Sequence, residues 1–258
     1  MTTTKKDYSD VAGPLEQFEI KPLYPIEIGG YDLSFTNASA WMIGILVAIW
    51  AFMFFGMRKA ELVPGRWQSA VEGLHEFVVG MVDENIGPNG RAYVPFIFSL
   101  FIFILVANMA GLLPYAFTVT SHIAVTFAFA AFIFLMCILI GLARHGLAWF
   151  GFFMPPGTPW YLMPLIIPIE IISFLARPIT LSVRLFANMT AGHILLKIFA
   201  GFVISLGLAG GIWAAVGILP FAMNVALYAL ELIVAVVQAY VFALLTTVYL
   251  NDSINLEH

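Results

Sequence analysis

A chain of 258 residues that is 62% hydrophobic and only 10% charged lies far below the roughly 25% charged residues of a soluble domain and reads as an integral membrane protein. Its one cysteine, Cys137, sits inside an apolar run, which excludes a disulfide framework and a thiolate metal centre and reads as a small core residue. The formal net charge of −4 comes mainly from an acidic N-terminal tail and offers no basic face for nucleic acid.

Residues 1–37 lack the basic-then-apolar order of a cleaved leader and read as a mature, polar tail. Ala38 to Met57 carries no charge over twenty residues, about the length a helix needs to cross a hydrocarbon layer ~30 Å thick. Arg58, Lys59 and Arg66 follow at once, whereas Glu27 and Asp32 precede it. The positive-inside bias places the tail outside and this loop in the cytoplasm. From Trp67 onward, apolar residues at helical spacing (Ala70, Val71, Leu74, Phe77, Val78, Met81, Val82) alternate with Glu72, His75, Glu76 and Asp83. One narrow apolar stripe and one wet face predict a helix along the cytoplasmic interface, with His75 solvated.

No formal charge occurs from Ala92 to Ala143, too long a run for one upright helix. It predicts two spans, near 93–113 and 123–142, joined by a turn at "GLLPYAFTVTSH" (111–122) and followed by Arg144 and His145 on the cytoplasmic side. After the proline-rich "MPPGTPW" (154–160), two long apolar segments remain, 161–200 and 221–250, with a Gly-rich turn between them and a cytoplasmic tail at 251–258. Some forty residues of helix exceed the membrane thickness, so the first arm must slant, bend or lie partly in the plane, with Pro164, Pro168 and Pro178 as bend points. The expected class is therefore an all-α integral membrane protein: one transmembrane helix, an interfacial amphipathic helix, a transmembrane pair and a long slanted helical hairpin, with membrane domain 38–250.

Within 161–250 the formal charges are Glu170, Arg177, Arg184, Lys197 and Glu231. Each costs roughly 2.5 to 3.5 kcal/mol at the bilayer centre on insertion scales. Glu170, Arg177 and Arg184 are seven apart, so they hold one stripe to within about 40°, joined by Thr180 and Asn188. Glu231 and Gln238 share a face of the last helix. With Gln238 opposite Arg184 in antiparallel arms, His193 and Glu231 lie roughly 13 Å and 10 Å along toward the same end and come level. His193 itself lies about 180° round from Arg184 on an ideal helix. The polar groups thus divide into two sets on different sides: Glu170 and its stripe toward one end, His193 with Glu231 toward the other, and Arg184 between. Two offset half-paths meeting at a fixed positive charge would not leak as a continuous pore would. Arg177 reads as snorkelling to the interface, Lys197 as an interfacial anchor, and the glycosylation-type triplet Asn188-Met189-Thr190 as a coincidence at membrane depth.

The stretches "RPITLSVRLFANMTAGH" (177–193), "ELIVAVVQAYVFALLTTVYL" (231–250) and "NMAGLLPY" (108–115) closely resemble subunit a of the F-type ATP synthases, in its alphaproteobacterial and mitochondrial form, over the whole length. The resemblance implies the fold just described, an inner-membrane location with the N-terminus extracytoplasmic and the C-terminus cytoplasmic, and b-type peripheral stalk subunits and a rotor ring of c subunits as partners. It implies no cofactor. By matching position it makes Arg184 the essential arginine facing the rotor and Asn188 and Gln238 its polar companions. Glu170 becomes the carboxylate of the cytoplasmic half-channel, and His193 with Glu231 the acid–histidine pair of the other. The chain has no Gly-rich phosphate loop ending in Lys-Ser/Thr, so the catalytic nucleotide site is expected elsewhere. The competing class is a self-contained secondary transporter or ion channel binding substrate at Glu170, Arg184 and Glu231, although the internal repeat of hydrophobic segments usual in transporters is not visible. An intramembrane hydrolase would want a Ser–His or metal-binding pair at matching spacing, and none is visible either.

Overall fold

The computed structural model describes residues 20, 22–25, 27–28, 31–32, 34–58, 61–113, 116–153, 159 and 161–255. Residues 1–19 of the expected polar tail, most of the proline-rich loop 154–160 and residues 256–258 lie outside the described residues. Two short antiparallel pairs precede the helices: β1 (Pro22–Tyr24) with β4 (Phe35–Thr36), and β2 (Glu27–Ile28) with β3 (Tyr31–Asp32). The β4 strand delivers Thr36 as the cap of helix α1 (Asn37–Met57), its hydroxyl accepting from the Ser39 amide at 3.3 Å. A hydroxyl at this position satisfies one of the donors that every helix start leaves open.

Among the described residues, everything after Thr36 is helix or short connection. Helix α2 spans Arg66–Asn85, α3 Val94–Gly111 behind a 3₁₀ turn at Pro88–Tyr93, and α4 Ile123–His145 behind a 3₁₀ turn at Val119–Ser121. A further 3₁₀ segment, Gly146–Phe153, leads toward α5 (Met163–Ala209), α6 (Gly211–Val216) and α7 (Ile218–Ile254). Among the described residues, five helical stretches are long and apolar enough to cross a membrane: Asn37–Met57, Pro88–Gly111, Ile123–His145, Met163–Ala209 and Gly211–Ile254.

Burial separates the helices by role. Helix α3 is the centre of the bundle, burying Ile97, Phe98, Phe101, Ile102, Ile104, Ala107 and Asn108. Helix α1 buries only Ala38, Ile45 and Gly56 and leaves Leu46, Val47, Trp50 and Phe55 exposed, the pattern of a helix solvated by lipid on most of its circumference. Helix α2 is two-faced: Val71, Val78, Met81 and Val82 are buried while His75, Glu76 and Glu84 are exposed. Gln68 is also buried there because its amide is fully used, donating to the Glu61 carbonyl at 3.0 Å and to Glu72 at 2.8 Å and accepting from the Glu61 amide at 3.1 Å. Cys137 is a buried core residue of α4.

Helix α5 is one continuous helix of 47 residues with Pro168 and Pro178 inside it. At ~1.5 Å per residue it is ~70 Å long, more than twice a hydrocarbon layer. The Gly-rich turn expected over 201–220 is much shorter than that. The apolar run after Gly201 contains no proline, so α5 persists to Ala209 and breaks only where Gly210 and Gly211 take φ of 67° and 58°, a conformation that L side chains resist. Likewise Asn251 to Ile254, expected in the tail, complete the last turn of α7.

Helix α7 packs into the bundle through Ala235, Ala239 and Ala243, all fully buried. Small side chains at i, i+4 spacing let helix backbones approach closely where no water is available to drive association. Among the described residues, polar contacts join the antiparallel arms at three levels: Arg177 with Asp252, Asn188 with Gln238, and His193 with Glu231. The end bearing Asp252 is also where the His145 imidazole donates to the Ile254 carbonyl at 2.9 Å, so α4 and α7 finish on the same side.

Arg177 therefore does not simply reach for an interface. It donates to Asp252 at 2.7 Å with both side chains about a quarter exposed (24% and 25%), and it also lies over the rings of Phe174 and Tyr249, 5.4 Å and 5.1 Å from their centroids. The other arginine–aspartate pair, Arg91 with Asp83 at 2.8 Å, is far more open, at 67% and 31%. There the hydrogen bonds from Arg91 hold the Asp83 carboxyl below its usual range. Asp252→Ala is expected to destabilise the detergent-solubilised protein by on the order of 2 kcal/mol, below the full cost of breaking a buried pair because of the partial exposure. Asp83→Ala, which breaks a solvent-screened pair, is expected to lower the melting temperature less than Asp252→Ala does. Thermal melts of both variants check this, and equal shifts would refute the distinction.

Candidate functional site

The faces of α5 are sorted by residue type. Pro178, Leu181, Leu185, Met189 and His193, spaced three or four apart, are buried together with Ser182 and form one inward stripe. Opposite them Leu175, Ile179 and Val183 are exposed, and Arg184 and Asn188 lie on the exposed side with them. Among the described residues Arg184 has no hydrogen bond or ion pair. A guanidinium is always charged and carries five donors, so on an apolar surface at membrane depth it calls for an anion brought from outside the chain.

One turn further along α5, Asn188 donates through Nδ2 to Oε1 of Gln238 at 2.9 Å. Gln238 is buried on α7, with its own Nε2 lacking a hydrogen-bond partner among the described residues. The sequence register had set Gln238 opposite Arg184 itself. It meets Asn188 instead, one helical turn nearer His193.

His193 and Glu231, on the inward side, come together. Nε2 of His193 lies 3.6 Å from Oε1 of Glu231, and the two residues are 8% and 4% exposed. The half-turn rotation of His193 away from Arg184 is what turns the imidazole inward, toward the buried carboxylate. Gly192 permits the approach: a Cβ there would lie 2.6 Å from Glu231 Oε1 and 2.8 Å from its Cδ. Neither carboxylate oxygen accepts a hydrogen bond among the described residues, and Oγ1 of Thr120 and Oδ1 of Asn224 are likewise buried without one. Such atoms cost roughly 1 to 3 kcal/mol each when left dry, and a cluster of them suits water. A cavity of about 610 Å³ opens beside His193 and Asn224, lined also by Lys197 and Tyr228 together with apolar residues of α3, α5 and α7.

Glu170 stands apart. It is half-buried on the same helix as Arg184, about 21 Å along it, and among the described residues it forms no hydrogen bond or ion pair. Arg184 in turn is about 13 Å along α5 from His193. The structure thus brings together His193 with Glu231 and Asn188 with Gln238, and leaves Arg184 and Glu170 single.

Three contributors escaped the sequence reading. Asp252, the partner of Arg177, is the first acid beyond the last apolar run. Asn108, fully buried on α3, donates to the Ala235 carbonyl at 3.2 Å and so ties α3 to α7 one turn from Glu231. Thr118, in the connection after α3, places its hydroxyl 3.1 Å from His193 Nε2. Polar residues amid "NMAGLLPYAFTVTSH" are the only hint of the last two, and nothing in a turn sequence says which way its side chains point.

Known proteins resemble this chain along nearly its entire length. The sequence model of a family described as "ATP synthase A chain" matches residues 38–251. "ATP synthase subunit a" of Mesorhizobium japonicum is 53% identical over 250 residues, covering 97% of this chain and 99% of that protein. The protein of the same name from Parvibaculum lavamentivorans is 54% identical, covering 95% of this chain and 94% of its own length. That of Rhodospirillum rubrum is 51% identical, covering 94% and 98%. With a match this continuous across the membrane domain, the chain belongs to the ATP synthase A chain family.

Proposed function

We propose that the chain is the proton-translocating stator subunit in the membrane sector of an F-type ATP synthase, coupling proton flow to rotation of a neighbouring ring. The observation that carries this reading is Arg184: a guanidinium on the exposed, otherwise apolar side of α5 with no anion among the described residues. A c-subunit ring would supply that anion, one carboxylate at a time. An arginine does not deprotonate here, so it passes no proton itself. It favours the ionised form of each arriving acid, whose proton leaves through one half-channel, and the acid is reprotonated from the other as the ring turns. Each charge moving through 100 mV supplies about 2.3 kcal/mol.

Glu170 serves the cytoplasmic half-channel, while His193 and Glu231 serve the extracytoplasmic one beside the cavity at Lys197, Asn224 and Tyr228. Arg184 stands between the two as the barrier to leakage, with Asn188 and Gln238 as its polar companions. The b-type stalk subunits hold the chain against rotation. The chain sits in the cell inner membrane with its N-terminus extracytoplasmic and its C-terminus cytoplasmic, which suits the basic residues that follow the first span in sequence, where the positive-inside bias expects the cytoplasm. A self-contained transporter or channel is not favoured, because it would leave the outward-facing arginine without a purpose.

Arg184→Ala is expected to abolish ATP-driven proton pumping in vesicles carrying the intact complex. Arg184→Lys should do almost as badly, since an ammonium lacks the planar fork and loses its proton more readily when desolvated. Normal pumping by the lysine variant in an assembled complex would overturn the reading. Glu170→Gln should lower passive proton conductance through the membrane sector by roughly an order of magnitude, less than the ~10²–10⁴-fold of a fully committed acid–base group because a wet vestibule offers water as a substitute, with assembly intact. Unchanged conductance would make it an inconsequential interfacial acid. The double exchange His193→Glu with Glu231→His should retain more pumping than either single exchange, which leaves two acids or two imidazoles facing each other. Equal losses in all three would show that the residues act independently.

A further inference from the structure

We infer that Thr118 is a positioning residue for the His193–Glu231 pair, holding the imidazole so that Nε2 stays aimed at the carboxylate in either protonation state. The inference rests on the proton-relay reading above and adds to it a third member, drawn from the connection between α3 and α4.

The geometry is that of one nitrogen between two oxygens. Nε2 of His193 is 3.1 Å from Thr118 Oγ1 and 3.6 Å from Glu231 Oε1. Only the first is within hydrogen-bond distance. A hydroxyl is both donor and acceptor, whereas an ionised carboxylate only accepts. When Nε2 is bare, Thr118 donates to it; when Nε2 carries a proton, Thr118 can accept from it until the proton is passed to Glu231. The switch needs only rotation of the hydroxyl hydrogen, so the imidazole does not have to swing between the two states. Without the hydroxyl, the ring would face a carboxylate beyond hydrogen-bond reach and its orientation would no longer be held on that side.

Thr118 is itself fixed. It is 1% exposed, and its carbonyl accepts from both the hydroxyl of Ser121 at 2.6 Å and the amide of Ser121 at 3.2 Å. The connection is docked on α5 by Thr190, whose hydroxyl donates to the Ser121 carbonyl at 3.4 Å, three residues before His193. From the other side, Gly111 makes the space: a Cβ there would lie 2.8 Å from Thr118 Cγ2 and 3.2 Å from its Oγ1. The glycine at the end of α3 and the threonine of the turn are thus two halves of one steric fit beneath the imidazole.

The test compares two replacements in the intact complex in vesicles, with assembly measured by the amount of the chain recovered in the purified complex. Thr118→Val keeps the shape and removes the hydroxyl; Thr118→Ser keeps the hydroxyl and removes a methyl group. Passive proton conductance should fall about 10-fold in the valine variant, less than the ~10²–10⁴-fold carried by a proton-transfer group itself, and stay close to normal in the serine variant. A role confined to packing predicts the reverse order, because valine preserves the packed volume. Conductance with valine equal to or above that with serine would overturn the inference. Should the valine variant fail to assemble, Gly111→Ala, which crowds Thr118 from behind, is expected to give the same loss, and normal conductance there would overturn it too. Arg184→Ala is run beside them. If it pumps normally the wider reading fails, whereas loss in that variant with normal conductance in Thr118→Val removes only the role of Thr118.

Discussion

An ion in hydrocarbon has to be neutralised, hydrated or moved to an edge, and the arrangement of α5 and α7 answers to that constraint. Arg177 meets it with an internal aspartate and two aromatic rings. Glu231 meets it by facing His193 from a buried position on α7. Arg184 meets it by neither route and stands on the outward side of α5. The three solutions are spaced along a single helix hairpin, and the unsatisfied one is where the chain is open to a partner. That division between charges settled within the subunit and a charge left for another is the physical basis of its proposed role.

The constraint can be met only if the backbones lie close enough for short side chains to reach across. Alanines at 235, 239 and 243 bring α7 against its neighbours, and Gly192 lets the Glu231 side chain settle on α5. Asn108 then fixes α7 to α3 through a backbone carbonyl. Small residues and buried amides here are the same device seen twice: the first removes side-chain bulk, and the second uses the proximity so gained. The long side chains of the hairpin, Ile172, Leu175 and Ile179 among them, point outward instead, where lipid or a partner subunit accommodates them.

Much of this was legible in the sequence because membranes impose coarse rules. Apolar runs of the right length announce an all-helical membrane protein, and a helical rise of ~1.5 Å per residue in antiparallel arms brings His193 level with Glu231 to within a turn. The 180° offset between His193 and Arg184 also followed from periodicity, and it is the offset that separates the inward imidazole from the outward guanidinium. The register of the arms was less legible: Gln238 meets Asn188 rather than lying opposite Arg184, since side-chain packing sets register and a repeat of seven cannot tell one turn from the next. The extent of the Gly-rich turn was overestimated because isolated glycines in an apolar run do not end a helix; the pair Gly210–Gly211 does. Thr118 was invisible for a different reason. Periodicity assigns faces to helices, and it says nothing about a turn held by Ser121 and Thr190.

The polar ties of the hairpin also set an order of events during synthesis. Arg177 and Asp252 are 75 residues apart, as are Thr118 and His193, and Asn108 reaches a carbonyl 127 residues later. When α5 first enters the bilayer, the partner of Arg177 has not yet been made, and the amide of Asn108 has no carbonyl of α7 to bind. Contacts of such sequence separation form late, so α5 must pass through a stage in which its charges are carried by water or by the insertion apparatus. The closing helix then acts as the latch of the whole membrane domain, and a nascent chain stalled before α7 would hold its arginines exposed, a form suited to recognition by quality-control proteases.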